Sequence, residues 1–267
     1  MGRAGREPSS GPHHRLGERS SRRYDAAPAV EQTGGPVTGE QEVPVQIVSE
    51  TMAAPTTTRL VRVIATAEWM QRDPPSPDLL SAAEHQRAQR FRREEDCRDF
   101  VAAHLLARQV VAELVGVELT AVSLRQSCTV CGVAGHGAPQ VIVPDHRPVF
   151  ISWSHTAGLV GAIASFGPVG LDLERVDDGA DVRATAGVAL SAGEVALVDA
   201  AASPAVAFLH WWTRKEALVK VGALTLDDFA TTDLSAHPDR WEAWTLSSWY
   251  DASLDVVAAT AKAIVRS

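Results

Sequence analysis

Val149-Phe150-Ile151-Ser152-Trp153-Ser154-His155-Thr156-Ala157-Gly158-Leu159-Val160-Gly161-Ala162-Ile163-Ala164, followed after Gly167-Pro168 by Val169-Gly170-Leu171-Asp172-Leu173-Glu174, decides the fold class of this chain. Two short apolar runs flank His155-Thr156-Ala157-Gly158, a pattern that predicts a β-hairpin with His155 at its turn. Gly167-Pro168 introduces a third run, so three closely spaced strands of one sheet are expected. Side chains alternate along a strand. Asp172 and Glu174 therefore share one face, while Leu171 and Leu173 point to the other.

Outward from this stretch, helices and strands mix without βαβ alternation, which predicts an α+β fold. Upstream, Arg59-Leu60-Val61-Arg62-Val63-Ile64 reads as the first strand. Ser81 and Glu84 form a capping box ahead of a basic helix carrying Arg87, Arg90 and Phe91. Helical spacing of Val101, Leu105, Val111 and Leu114 predicts a helix over 99–115, ended by Gly116. Downstream, Ser191 and Glu194 form a second capping box, and Ser203-Pro204 opens a long helix running towards Gly222. Trp241–Leu246 and Val256–Ala259 read as strands separated by a turn at Asp251-Ala252-Ser253. Residues 1–58, rich in Gly, Pro, Ser, Thr and mixed charge, read as a disordered extension, with Met52 a candidate translation start. The remainder divides into 59–166 and 167–267.

The 267 residues are 45% hydrophobic, enough for a sizeable core, and the formal charge of −8 supplies no basic field for a phosphate polymer. A general nucleic-acid binder is thereby disfavoured. No run reaches the roughly 18 apolar residues of a membrane span, and the N-terminus lacks the apolar core of a secretory signal, so a cytoplasmic protein is expected. Three cysteines make a poor disulfide framework. Cys128 and Cys131, with His136 nearby, leave open a zinc knuckle short of its fourth ligand or a loop with reduced thiols.

Two carboxylates ~4 Å apart repel by ~4 kcal/mol at an effective dielectric of ~20, so a site keeping Asp172 and Glu174 ionised needs a counter-charge. Mg²⁺, an oxygen-seeking ion that retains phosphate oxygens, suits such a pair. Taken alone, the same strand reads as one whose acidic face is simply solvated. In Trp212-Thr213-Arg214-Lys215-Glu216-Ala217-Leu218-Val219-Lys220, the residues Trp212, Glu216 and Lys220 share a helix face. Glu216 can supply a third carboxylate and Lys220 a phosphate contact, or the two can form an ordinary surface pair beside a core tryptophan. His155 can donate to a phosphate or serve as a polar turn residue.

In their order and spacing, Ser152–Thr156, Gly170–Glu174 and Trp212–Lys220 resemble the motifs of 4′-phosphopantetheinyl transferases of the surfactin-synthetase-activating (Sfp) type. The resemblance covers about residues 60–260. Holo-acyl-carrier-protein synthases share the second and third motifs, but there the first of these opens a chain of about half this length. The resemblance implies two α/β subdomains related by pseudo-twofold symmetry, with the site between them. It also implies Mg²⁺-dependent transfer of phosphopantetheine from coenzyme A to a serine of an acyl or peptidyl carrier protein, releasing adenosine 3′,5′-bisphosphate. Asp172, Glu174 and Glu216 would be the metal ligands, Glu216 also the base, and Ser154, His155 and Lys220 the phosphate contacts, with Lys215 a further one. Arg87 and Arg90 would lie near the adenosine 3′-phosphate, and Gly137-Ala138-Pro139 would form a turn at the adenine end. Ala138 stands where a cation is frequent, which bears on coenzyme A affinity. Cys128, Cys131 and His136 resemble a variant motif of some members. The implied partners are carrier proteins of fatty-acid, polyketide or nonribosomal-peptide synthases, and the implied state is a monomer. A non-catalytic coenzyme A or nucleotide-binding module is the alternative.

Overall fold

The computed structural model describes residues 59–264 apart from 73, 128–133, 178 and 180, with the backbone alone at 127 and 134–136. The chain divides into two units, and all described residues lie in the second, Pro44–Ser267. In chain order the elements are β1 (Arg59–Ala65), α1 (Thr66–Arg72), α2 (Ala82–Ala88), α3 (Glu94–Val115), β2 (Ser123–Ser127), β3 (Ala134–Ile142), β4 (Phe150–Thr156), β5 (Leu159–Ser165), β6 (Val169–Arg175), α4 (Val182–Ala189), α5 (Ala192–Ala200), α6 (Pro204–Lys220), β7 (Arg240–Trp241), β8 (Trp244–Asp251) and β9 (Val256–Ala263). Helix and sheet are mixed as the α+β reading expects. The segment 1–58 and the Cys128–Cys131 pair lie outside the described residues, as does the His136 side chain.

Among the described residues three antiparallel sheets form, in the orders β1-β5-β4, β2-β3 and β6-β9-β8-β7. The 22-residue α3 covers one face of the first, where Ala103, Leu106, Ala107 and Val110 pack with Ile151, Val160, Ala162 and Ala164. Helix α6 covers one face of the third, where Phe208, Ala217 and Leu218 pack with Leu246 and Ala261. The other faces of these two sheets meet. Val61, Val63, Leu159 and Ile163 pack there with Val169, Leu171, Leu173, Ala258 and Trp249. Alternation along β5 and β6 explains this division, because residues of one parity serve the helix and those of the other parity the facing sheet.

Both capping boxes form: Ser81 Oγ and Ser191 Oγ accept from the Glu84 and Glu194 amides, and each glutamate reaches back to its serine's N–H. Helix α3 closes at Gly116, whose φ of 73° suits a left-handed cap. The basic helix is shorter than expected, α2 ending at Ala88 so that Arg90 and Phe91 follow it.

In the strands, the structure departs from the sequence reading at four places. β6 does not join β4 and β5 in one sheet; it pairs with β9, and β4 and β6 are the neighbouring edges of different sheets. Side chains bridge these edges in place of a backbone ladder: Leu171 N–H donates to Ser152 Oγ at 3.0 Å, and Ser154 Oγ donates to Asp172 Oδ1 at 2.9 Å. His155 is not at the turn but inside β4, opposite Val160, with Ala157-Gly158 as the two-residue connection. The strand expected over Trp241–Leu246 is broken by a tight turn at Glu242-Ala243, where Glu242 has a φ of 47°, giving β7 and a longer β8. Gly137-Ala138-Pro139 is strand rather than turn, since Pro139 lies opposite Gln126 in the β2–β3 hairpin.

Candidate active site

Asp172 sits in the middle of β6, only 5% exposed, on the face that α6 covers. Gly170 sets how near α6 comes: a Cβ there would lie 2.2 Å from the Ala217 carbonyl oxygen, closer than any side chain tolerates. This close approach brings the last turn of α6 to Asp172. Lys220 Nζ donates to Asp172 Oδ1 at 2.8 Å and lies 3.3 Å from the Trp153 carbonyl, which joins α6, β6 and β4 at one point. Glu174, two residues along β6, accepts from Thr156 Oγ1 at 3.3 Å. Three alternate side chains of β4, Ser152, Ser154 and Thr156, thus meet β6.

Charge is concentrated here. Burial pushes the Glu174 carboxyl up to about 7, reinforced by repulsion from Asp172 and Glu216 and opposed by Thr156 and Lys220. Glu216, on the turn of α6 before Lys220, is likewise raised to about 7 by burial and by Asp172. Asp172 Oδ1 has two donors, but its buried Oδ2 has none. A buried carboxylate oxygen without a partner is costly unless a cation or donor meets it. Three mutually repelling carboxylates with one such oxygen suit a hard cation such as Mg²⁺ in donor chemistry. Among the described residues, no three His, Cys, Asp or Glu side chains are grouped closely enough to hold a metal ion. The structure therefore brings Asp172, Glu174 and Glu216 within electrostatic reach of one another without assembling them as a ligand shell, and Lys220 occupies Oδ1.

His155 is exposed at the same end of β4; desolvation lowers its pKa, with Lys220 and Arg87 acting in the same direction and Asp99 and Asp96 against it. These groups surround the histidine from α2, α3 and α6. Asp99 also accepts from the Gly158 N–H at 2.8 Å, tying the β4–β5 turn to α3. Arg87 lies 5.7 Å from the Phe100 ring centroid. Its helix is held by a buried pair, Arg108 donating to Glu84 through both terminal nitrogens, at 3.1 and 2.7 Å. Arg90 is exposed just beyond α2, whereas Gly137 is exposed and Pro139 half-buried on β3, the strand that touches α2 and β4.

Lys215 does not belong to this group. It is 0% exposed, with Nζ 2.5 Å from Glu194 Oε2 and 2.6 Å from the Phe229 carbonyl, so the expected phosphate contact gives way to an internal ion pair. The reason is helical geometry: adjacent residues point about 100° apart, so Glu216 and Lys220 can face β6 while Lys215 faces α5. Trp212, one turn before Glu216, is half-buried and packs against Phe208 and Phe229.

Residues 168–256 match the family model of the 4′-phosphopantetheinyl transferase superfamily. No curated protein matches the chain. The matched span is about a third of the chain and contains Asp172, Glu174, Glu216 and Lys220; Arg87, Ser154 and His155 precede it. Members use coenzyme A and act on carrier-protein domains, so the match supports phosphopantetheinyl transfer in general. Among the described residues, no helix is long and apolar enough to cross a membrane.

Sequence reasoning passed over Thr156, Asp99 and the Trp153 carbonyl. Period-2 alternation from Ser154 marks Thr156 as its neighbour on the same face, a signal available in the sequence. Nothing local marks Asp99, because its contact with Gly158 spans 59 residues. The second roles of Glu84 and Glu194 are equally hidden: each is visible as a capping-box residue, while its buried cation arrives from another helix.

Proposed function

We propose that this chain is an Sfp-type 4′-phosphopantetheinyl transferase, moving the phosphopantetheine arm of coenzyme A to a serine of an acyl or peptidyl carrier protein with Mg²⁺ and releasing adenosine 3′,5′-bisphosphate. The observation that carries this reading is Asp172, a buried carboxylate flanked by Glu174, Glu216 and Lys220, with one oxygen unpartnered. Asp172, Glu174 and Glu216 would hold the ion, which when bound supplies positive charge to a diphosphate. The rest of the chemistry falls to side chains. Glu216, with a carboxyl near neutrality, suits proton removal from the attacking serine. The serine oxygen bonds to the phosphorus that carries the pantetheine arm, the bond from that phosphorus to the bridging oxygen breaks, and the leaving bisphosphate takes the electron pair. Lys220, His155 and Ser154 would meet the phosphate oxygens, Ser154 by turning its hydroxyl from Asp172.

Arg87 and Arg90 would face the adenosine 3′-phosphate, with Gly137 and Pro139 at the adenine end. In this reading 59–166 and 167–267 are the pseudo-twofold halves of a cytoplasmic monomer. The carrier belongs to a fatty-acid, polyketide or nonribosomal-peptide synthase. Incubation with coenzyme A, Mg²⁺ and a panel of unrelated apo carrier proteins should add one phosphopantetheine mass to at least one of them. Asp172→Ala and Glu216→Ala should each slow that transfer by about 10²-fold or more. No mass gain with any carrier, or unchanged turnover in both variants, overturns the proposal.

A further inference from the structure

Lys220 occupies the place where a cation would compete. Its Nζ donates to Asp172 Oδ1 at 2.8 Å, and the same oxygen accepts from Ser154 Oγ at 2.9 Å, whereas Oδ2 is buried and unpartnered. The pair is not locked: the Lys220 side chain keeps 26% of its surface exposed against 7% for Asp172, and its second acceptor is the Trp153 carbonyl at 3.3 Å. The ammonium can therefore leave Asp172 along its flexible stem, while the carboxylate, set in the middle of a strand, cannot follow.

We propose that Lys220 is an internal counter-ion that makes divalent-cation binding conditional on the diphosphate. While Nζ sits on Oδ1, a divalent ion arriving at Asp172 meets a carboxylate already neutralised and a positive charge in hydrogen-bond range of it. A diphosphate supplies oxygens that Nζ can take instead. Its transfer from Asp172 to the ligand leaves the carboxylate free for the cation, and the ligand's own charge balances both. Cation and diphosphate thus bind with positive coupling, and linkage requires each to tighten the other equally. This deepens the proposed function and rests on its placement of Asp172 as a cation ligand.

The test uses Mn²⁺ as a spectroscopic substitute, with free ion followed by electron paramagnetic resonance in full-length protein, with and without coenzyme A and corrected for Mn²⁺ held by coenzyme A alone. In the native protein, coenzyme A should tighten Mn²⁺ binding by about tenfold or more. Lys220→Met should bind Mn²⁺ without coenzyme A about tenfold more tightly than native protein does, a change of about 1.4 kcal/mol, and gain much less from coenzyme A. Lys220→Gln, which keeps polarity without charge, should behave as Lys220→Met does, and Asp172→Ala should bind little Mn²⁺ in either condition. Native protein binding Mn²⁺ equally well with and without coenzyme A overturns the counter-ion role. So does a tenfold gain from coenzyme A that persists in both Lys220 variants. Absence of Mn²⁺ binding from every protein, coenzyme A included, instead removes the cation site and with it the proposed function.

Discussion

Gly170→Ala tests how α6 is set against β6. The added Cβ would lie 2.2 Å from the Ala217 carbonyl oxygen and 3.0 Å from Val221 Cγ1. Ordinary contact begins at 3.4 Å, so the helix backbone must retreat by about 1.2 Å, because a carbonyl inside a helix cannot rotate out of the way. Overpacking of this kind costs about 1–3 kcal/mol. The retreat falls on the segment carrying Glu216 and Lys220, whose Nζ now bonds Asp172 Oδ1 at 2.8 Å, and shifts both side chains relative to Asp172. Misplacement by ~1 Å at a reacting centre can lower a rate by about 10²-fold. Urea unfolding should show a lower midpoint with unchanged slope, and phosphopantetheine transfer at a temperature where the variant remains folded should fall by about that factor. A Gly170→Ala variant within about 0.5 kcal/mol of native stability and with full activity would refute the close approach.

Other perturbations read different parts of the molecule. Burial holds His104 down to about 4, below its ordinary 6.5, so the unfolded chain binds the extra proton between these values. Its contribution is present above pH 6.5 and lost as pH falls towards 4; His104→Gln should flatten urea stability over that window by up to about 3 kcal/mol. Glu174 has the opposite sign, its carboxyl raised to about 7 from 4.5, so the folded state is the one holding the proton and stability falls as pH rises through that range. Glu174→Gln should therefore stabilise the chelator-treated protein by about 1–3 kcal/mol at about pH 8 and change little near pH 4.5, as thermal unfolding at the two pH values will show. Arg108→Met leaves the buried Glu84 without its cation, and chemical denaturation should register a loss of about 3–5 kcal/mol.

Much of the architecture is legible because its signals are local. Capping boxes at Ser81 and Ser191, a proline after Ser203 and a glycine after Val115 act on backbone groups within one turn, so the residues that announce these helices also form their ends. Alternation along Gly170–Glu174 likewise separates two leucines from two carboxylates. The boundaries of β7 and β8 are less visible, since a left-handed Glu242 has no strong residue signature.

The sequence by itself determined which chemistry this protein carries: an acidic pair on one strand face, a Glu-to-Lys pair on one helix face and a hydroxyl-rich strand before them. Whether these residues form a site was decided by packing. Gly170 lets α6 approach, β4 and β6 meet as edges of separate sheets, and only then do Ser154, Asp172 and Lys220 share a hydrogen-bonded group. Tertiary packing also separated near neighbours in sequence, placing Lys215 on the buried Glu194 and Lys220, little more than a turn further along α6, on Asp172. The physical reason is range: local backbone preferences act over a turn, whereas burial and ion pairing are set by residues tens of positions away.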